Sequence, residues 1–77
     1  MSNVRKKGDF EYGKDAEKAL LSLLTDQPKT TAELTREMQD QFFKKIHFYT
    51  VQRLLIKLSE EGKIKWKIVG RIQLWYY

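Results

Sequence analysis

The chain has 77 residues, no cysteine and a formal charge of +5 at pH 7, with its single histidine counted as neutral. This length is close to the lower limit for a domain that folds by itself, so most of the large apolar side chains must share one core. Without cysteine there is neither a disulfide framework nor a thiolate metal site, and one imidazole, His47, cannot make a histidine-rich metal cluster.

Residues 1–13 are polar, basic from Arg5 to Lys7 and interrupted by glycine, and they are predicted to form a flexible N-terminal arm. Phe10 and Tyr12 are the side chains of this arm that would dock on the body. The charged start is not followed by the apolar segment of a signal peptide, and no apolar run reaches membrane-spanning length. We expect a cytoplasmic, nucleoid-associated protein with no membrane partner and one domain over residues 14–77.

A first helix is predicted from Asp15, which would act as its N-cap, to about Thr25. Its apolar residues fall at helical spacing and form one inward stripe, Ala16, Ala19, Leu20, Leu23 and Leu24. Pro28 ends this segment because proline disfavours helical geometry at the residue before it.

A second helix is predicted to open at Thr30, because Thr30 and Glu33 match the capping box, in which each side chain satisfies the other residue's free backbone N–H. The helix ends between residues 40 and 43, and the turn after it contains Lys44 and Lys45. The side chains expected in the core from this region are Leu34, Met38, Phe42, Phe43 and Phe48. Core packing is preferred here to an aromatic platform for single-stranded nucleic acid.

A third helix is predicted from about Phe48 to Glu61, where Gly62 supplies the left-handed residue that ends it. Its inward stripe follows the i, i+3, i+4, i+7 pattern, with Val51, Leu54, Leu55 and Leu58. After Gly62 the hydrophobic period changes to two, which predicts a β-hairpin that turns at Gly70-Arg71.

The hydrophobic pattern also predicts the register of this hairpin. A two-residue loop, Gly70-Arg71, would leave apolar residues on both faces. A three-residue loop, Val69 to Arg71, would place six apolar residues on one face: Ile64, Trp66, Ile68, Ile72, Leu74 and Tyr76. The other face would then hold Lys65, Lys67, Gln73, Trp75 and Tyr77. Because a slip of one residue exchanges the faces of a strand, we predict the three-residue loop.

The positive charge is concentrated in the second half of the chain. Residues 44–77 contain eight basic and two acidic residues, a net +6, whereas residues 1–43 contain seven basic and eight acidic residues, a net −1. Since each Lys or Arg can neutralise a phosphate and release a counterion, a basic helix and hairpin are typical of a nucleic-acid binder.

The stretch Thr50–Ile64 (TVQRLLIKLSEEGKI) and the Thr-Thr-Ala-Glu-Leu opening of the second helix resemble the winged helix-turn-helix family of compact bacterial and archaeal repressors. The resemblance covers roughly Lys14 to Tyr77 and combines helix spacing, a glycine stop and a hairpin. It implies an α+β fold, mainly α, of three helices with a C-terminal β-hairpin wing. It also implies that the third helix enters the major groove of double-stranded DNA, while the wing reaches along the backbone or into the minor groove.

Two features depart from the family pattern. The turn before the third helix is longer than the usual three or four residues and has no glycine. The extra C-terminal helix by which many such repressors dimerise does not follow the hairpin, so a homodimer is left open.

The chain also resembles Z-alpha domains in its Thr-Thr-Ala opening and in Leu74-Trp75. Ile56 and Gln52, however, replace that family's Tyr and Asn, which argues against recognition of left-handed nucleic acid.

The third-helix side chains outside the apolar stripe are the predicted DNA contacts: Tyr49, Thr50, Gln52, Arg53 and Lys57. Those nearest the N-terminus of the helix should reach base edges. Gln52 would address adenine, and Arg53 guanine or a phosphate, because their donors and acceptors fit those edges. Phosphates would be held near the helix start by Lys44 and Lys45, and from the wing by Lys65, Lys67 and Arg71. For each of these residues taken singly, the alternative to a DNA contact is that its side chain is simply solvated on the protein surface.

The predicted function is double-stranded DNA binding by a small transcription regulator, with no catalysis, cofactor or metal. The glycines are too scattered for a phosphate loop, and His47 has no nucleophile partner. The alternative function is a winged-helix protein–protein adaptor whose exposed aromatic patch contains Trp75, Tyr77 and Tyr49. For Trp75 itself, packing against the first helices is preferred to an exposed position. Double-stranded RNA is a weaker candidate, because a helix cannot read the major groove of an A-form duplex.

Overall fold

The computed structural model describes residues 14–77, in which three helices are combined with a three-stranded antiparallel sheet. The elements in chain order are α1 (helical over residues 14–23), β1 (Lys29–Thr30), α2 (Thr31–Gln41), α3 (Phe48–Glu60), β2 (Lys65–Val69) and β3 (Ile72–Tyr76). The predicted α+β class, mainly α, is confirmed. The predicted arm, with Phe10 and Tyr12, lies outside the described residues.

The buried stripe of α1 was predicted correctly, but its N-cap was not. Lys14 and Asp15 are both helical, so the prediction that Asp15 caps the helix is wrong. The helix ends at residue 23, two residues before the predicted Thr25. Four of its five predicted core residues are buried, namely Ala16, Ala19, Leu20 and Leu24, and the fifth, Leu23, is partly buried.

The capping box of α2 is present as predicted. Thr30 Oγ1 accepts a 3.0 Å hydrogen bond from the Glu33 N–H, and Glu33 Oε1 accepts a 2.9 Å bond from the Thr30 N–H. Because two otherwise free backbone donors are satisfied, the start of the helix is fixed. Leu34 and Met38 then lie fully buried on its inward face.

The connection between α2 and α3 differs from the prediction in its aromatic residues. Phe43 is partly buried, but Phe42 and Phe48 are exposed over more than a third of their surface, so their assignment to the core is wrong. Ile46 is buried instead, and its carbonyl accepts a 2.9 Å hydrogen bond from Gln39 Nε2. Ile46 therefore fills the space between the two helices that the sequence analysis gave to the phenylalanines.

The C-terminus of α3 is closed by Gly62, as predicted. Its φ is 77°, and its N–H donates to the Ser59 carbonyl at 3.0 Å while the Lys63 N–H donates to the Leu58 carbonyl at 2.9 Å. These two bonds form the Schellman motif, which needs a left-handed residue that glycine adopts without strain. The inward stripe is confirmed, with Val51, Leu55 and Leu58 buried and Leu54 partly buried.

The sheet contains one strand that the sequence did not reveal. Its order is β1-β3-β2, and β1 pairs with β3 through Lys29 opposite Trp75 and Thr30 opposite Leu74. Lys29 Nζ also donates to the Leu23 carbonyl at 3.1 Å and to Glu37 Oε1 at 3.0 Å. A strand of two residues is too short to show a hydrophobic alternation in the sequence. It forms because β3 lies beside it and pairs with it.

The predicted three-residue hairpin loop is wrong. Val69 lies opposite Ile72 and Trp66 opposite Trp75, which leaves the two-residue loop Gly70-Arg71. Gly70 has a φ of 64°, and among the described residues only glycines have a positive φ, so Arg71 does not. A positive φ at the first loop position alone is the pattern of a type II′ turn, whose twist matches that of the flanking strands.

The physical reason for the observed register lies at the base of the hairpin. Ile64 and Trp75 are both buried, and only the observed register places them on the same face of the ribbon. All five residues of β2 are exposed, so the distal half covers no core. An alternation of apolar residues therefore could not select the register there, because neither face is buried.

We expect Thr31→Val to lower the free energy of unfolding by about 1–3 kcal/mol, measured by urea denaturation. Trp75 Nε1–H donates a 2.9 Å hydrogen bond to Thr31 Oγ1, and the substitution keeps the shape but leaves the indole donor unpaired. The control is Thr50→Val on α3, whose hydroxyl makes no hydrogen bond in the described chain and whose loss should cost less than about 0.5 kcal/mol. Equal effects of the two substitutions would contradict this role of Thr31.

The register itself is tested by tryptophan fluorescence. Trp75 is 1% exposed and Trp66 is 50% exposed. Trp66→Phe should therefore leave a blue-shifted emission from the buried indole, while Trp75→Phe should leave the red-shifted emission of a solvated one. A solvated emission from the Trp66→Phe protein would contradict the register.

Candidate functional site

The exposed face of α3 contains a stripe of three residues, which the acid Glu60 continues at the end of the helix and Lys57 flanks. Tyr49, Arg53 and Ile56 are exposed and follow one another at spacings of four and three, which places them on one side of the helix. This side lies opposite the buried Val51 and Leu55. Tyr49, which is 74% exposed, belongs to the first turn, where its ring meets that of Phe48 edge-on.

Two predicted contacts of α3, Thr50 and Gln52, lie beside this stripe. Both are partly buried rather than exposed, since each is next to the inward face. Arg53 is thus the predicted base-reading residue with the most open position, and Ile56, which the sequence analysis did not include, lies one turn after it. The helical spacing of the sequence already places Ile56 on this side of α3. An isoleucine, however, has no hydrogen-bond donor that would indicate a contact with a base edge.

Lys57 is held by an ion pair with α1. Its Nζ lies 2.7 Å from Glu17 Oε2, and the lysine side chain is more than half exposed while the glutamate is mostly covered. The hydrogen bond to Glu17 and the attraction of its charge raise the pKa of Lys57. The amine is therefore already partnered, and a phosphate would have to compete with Glu17 for it.

Glu17→Gln should lower the pKa of Lys57 toward its usual value, measured by NMR titration of the lysine ε-methylene. A lysine pKa raised in the folded state stabilises the fold fully below the unfolded pKa, about 10.4, and this contribution is lost as the pH rises through the folded pKa. On the alkaline side, the stability difference between the two proteins should therefore shrink as the pH rises through the folded pKa of Lys57. Glu37→Gln, which breaks the separate Lys29–Glu37 pair, is the control. An unchanged Lys57 pKa in the Glu17→Gln protein would contradict the assignment.

The turn before α3 carries two further predicted contacts, Lys44 and Lys45. Both are exposed, and neither forms an ion pair or a side-chain hydrogen bond with any residue that the structure describes. His47 follows as the N-cap residue of α3 and makes no capping hydrogen bond through its side chain. The two lysines are therefore free to meet an anion near the start of the helix.

The hairpin places Lys65 and Lys67 on one exposed face, as predicted, but with different neighbours. In the observed register this face, which points away from the core, also holds Val69, Ile72, Leu74 and Tyr76. Lys67 Nζ lies 5.9 Å from the centre of the Tyr76 ring, a cation–π distance. The face is therefore mixed, and the prediction that Gln73, Trp75 and Tyr77 lie beside the two lysines is wrong.

Trp75 belongs to the core and not to this face. It is on the opposite side of the ribbon together with Trp66 and Ile68, and it is the largest fully buried side chain among residues 14–77. The preferred packing against the helices is thus confirmed, while the polar-face position derived from the predicted register is wrong. The exposed tryptophan of the hairpin is Trp66, which sequence reasoning had placed inward.

The eight basic side chains of residues 44–77 differ in whether they form an ion pair with an acidic side chain. Lys57 pairs with Glu17, and Lys63 Nζ lies 3.3 Å from Glu61 Oε1. The other six form no ion pair with any residue in the range 14–77: Lys44, Lys45, Arg53, Lys65, Lys67 and Arg71. They lie on the turn before α3, on its exposed stripe and on the hairpin.

A shallow, open depression between α1 and the end of α2 is lined in part by Asp15, Lys18 and Phe42. No group of three or more His, Asp or Glu in residues 14–77 is placed to hold a metal ion. None of the helices described is both long and apolar enough to cross a lipid bilayer.

Comparison of the chain with protein-family models, with curated proteins and with solved structures finds no significant match.

Proposed function

We propose that this protein binds double-stranded DNA as a winged helix and acts as a small transcription regulator on the nucleoid. In this proposal α3 enters the major groove with Tyr49 and Arg53 toward the base edges, and the hairpin contacts the backbone or the minor groove of the same duplex. The role is one of binding, with no catalytic residue and no cofactor.

The observation that carries the proposal is the set of six unpaired cations. A cation that is already paired with a carboxylate gains little free energy by binding a phosphate, because the phosphate only replaces the carboxylate. A solvated Lys or Arg releases a condensed counterion from the DNA for each phosphate it neutralises, which is a favourable entropy term. Within residues 14–77 these six side chains have no acidic partner, although Asp and Glu make up eight of those residues.

The order of the elements supports the same proposal. A helix, a short strand, two helices and a hairpin, with the short strand beside the last strand of the sheet, are compatible with the winged helix that the sequence resembles. The six-residue connection before α3 is longer than the family turn, but its end is fixed by the buried Ile46. A homodimer is compatible with the proposal, since a single module of this size covers little DNA surface.

The proposal predicts that binding to a duplex weakens steeply with salt, measured by fluorescence anisotropy. Lys65→Gln with Lys67→Gln should weaken binding and reduce the slope of log K against log salt by about 2, since two phosphate contacts are lost. Lys18→Gln, which removes an exposed α1 cation outside the proposed surface, should leave both quantities unchanged. Salt-independent binding, or none at low salt, would contradict the proposal.

A second function is supported by one observation, the exposed aromatic and aliphatic surface. Tyr49, Trp66 and Tyr77 are each at least half exposed, so a protein–protein adaptor remains a candidate, although Trp75 is no longer part of its patch. The salt series separates the two functions. Burial of apolar surface in a protein complex persists at high salt, whereas contacts with phosphates do not.

A further inference from the structure

The distal half of the hairpin is apolar on both faces and uncovered. We call residues 66–72 the hairpin tip. Trp66 and Ile68 on the inner face are 50% and 60% exposed, and Val69 and Ile72 on the outer face are 56% and 55% exposed. Scattered apolar residues on a surface are ordinary, but a protrusion with such residues on both sides is a candidate binding element.

The hairpin tip and the residues beside it also carry positive charge. From Gly62 to Tyr77 the sequence contains four basic residues and no Asp or Glu. Three of the four, Lys65, Lys67 and Arg71, have no ion pair with any part of the chain that the structure describes. An apolar element rimmed by free cations is complementary to a partner that combines dense negative charge with an apolar interior. A DNA duplex is such a partner, because its phosphates flank stacked bases.

We propose that the hairpin tip is a wedge that enters the minor groove, widens it and partly unstacks a base step, so that the bound DNA is bent. This inference rests on the proposed function and deepens it. Lys65, Lys67 and Arg71 hold the phosphates on the two sides of the groove, while Val69 and Ile72, which flank the loop, face the opened base step.

The dimensions of the two partners require the DNA to change shape. Paired strands lie about 4.8 Å apart, and side chains on both faces make a ribbon roughly 10 Å thick. The minor groove of B-form DNA is only about 6 Å wide. Apolar side chains also find no favourable partner among the hydrogen-bonding base edges of an intact groove. DNA can therefore cover the hairpin tip only if the groove opens and exposes the faces of the bases.

The class of target follows from the cost of that opening. Pyrimidine–purine steps such as TA unstack and kink most readily, whereas stiffer sequences resist deformation. The protein should therefore prefer duplexes with a central TA step to duplexes of G·C pairs. A second copy of the chain fits the hairpin tip less well, because it would bring Lys65 and Lys67 of two copies together in the absence of any acid on either hairpin.

The test compares the wild-type protein with Val69→Ser combined with Ile72→Ser on two duplexes, one with a central TA step and one of G·C pairs. One strand carries 2-aminopurine at the TA step, and fluorophores at the two ends report bending by energy transfer. The wild-type protein should raise 2-aminopurine fluorescence, increase energy transfer and prefer the TA duplex by about tenfold. The double variant should keep the salt dependence but lose these three effects. Because both residues are exposed, we expect it to fold, which circular dichroism checks; Ile68→Ser is a second variant with the same expected direction.

The outcomes separate the wedge from the proposed function. Salt-dependent binding without bending or unstacking would overturn the wedge and leave DNA binding in place. The same result follows if both serine variants, correctly folded, bend DNA as the wild type does. Absence of duplex binding by the wild-type protein would overturn both proposals, and this includes the case in which the hairpin tip instead binds vesicles of phosphatidylserine and phosphatidylcholine or a second copy of the chain.

Discussion

The indole of Trp75 joins the sheet to the helices, because its ring is buried in the core while its Nε1–H donates to Thr31 Oγ1 at the start of α2. This single side chain is also opposite Lys29 in β1 and opposite Trp66 in β2. Because residue 75 pairs with both neighbouring strands, burial of its ring fixes how far β3 can slide along either of them. The position of every other residue of the hairpin, and therefore the face on which it is exposed, follows from that constraint.

For function, the consequence is that the hairpin presents cationic and apolar side chains on the same face. With Trp75 inward, Lys65 and Lys67 share a face with Val69 and Ile72, so cations and apolar side chains are interleaved and not separated. A surface of cations alone would be sufficient for holding phosphates. The interleaved surface has an additional capacity for contact with bases, and this distinction motivates the proposed bending of DNA.

The parts of the structure that the sequence predicted well are those decided by nearby residues. The capping box at Thr30, the glycine stop at Gly62 and the inward stripes of the three helices depend on spacings of a few positions. The parts that it missed depend on contacts between distant segments. The strand β1 exists because β3 lies beside it, Lys57 meets an acid 40 positions away, and the hairpin register is set by the burial of Trp75 and Ile64. The ten predicted DNA contacts stay a prediction, and they did not include the exposed apolar residues beside them, such as Ile56 and Val69.

The central claim is that DNA meets α3, the turn before it and the hairpin, and the most direct measurement is the change in backbone amide shifts when a short duplex is added to the ¹⁵N-labelled protein. We expect the shifts to change over residues 44–57 and 65–72 and to stay constant along the exposed side of α1 around Lys18. Changes centred on the depression between α1 and α2, at Asp15, Lys18 and Phe42, would contradict the account, as would a spectrum that the duplex leaves unaltered.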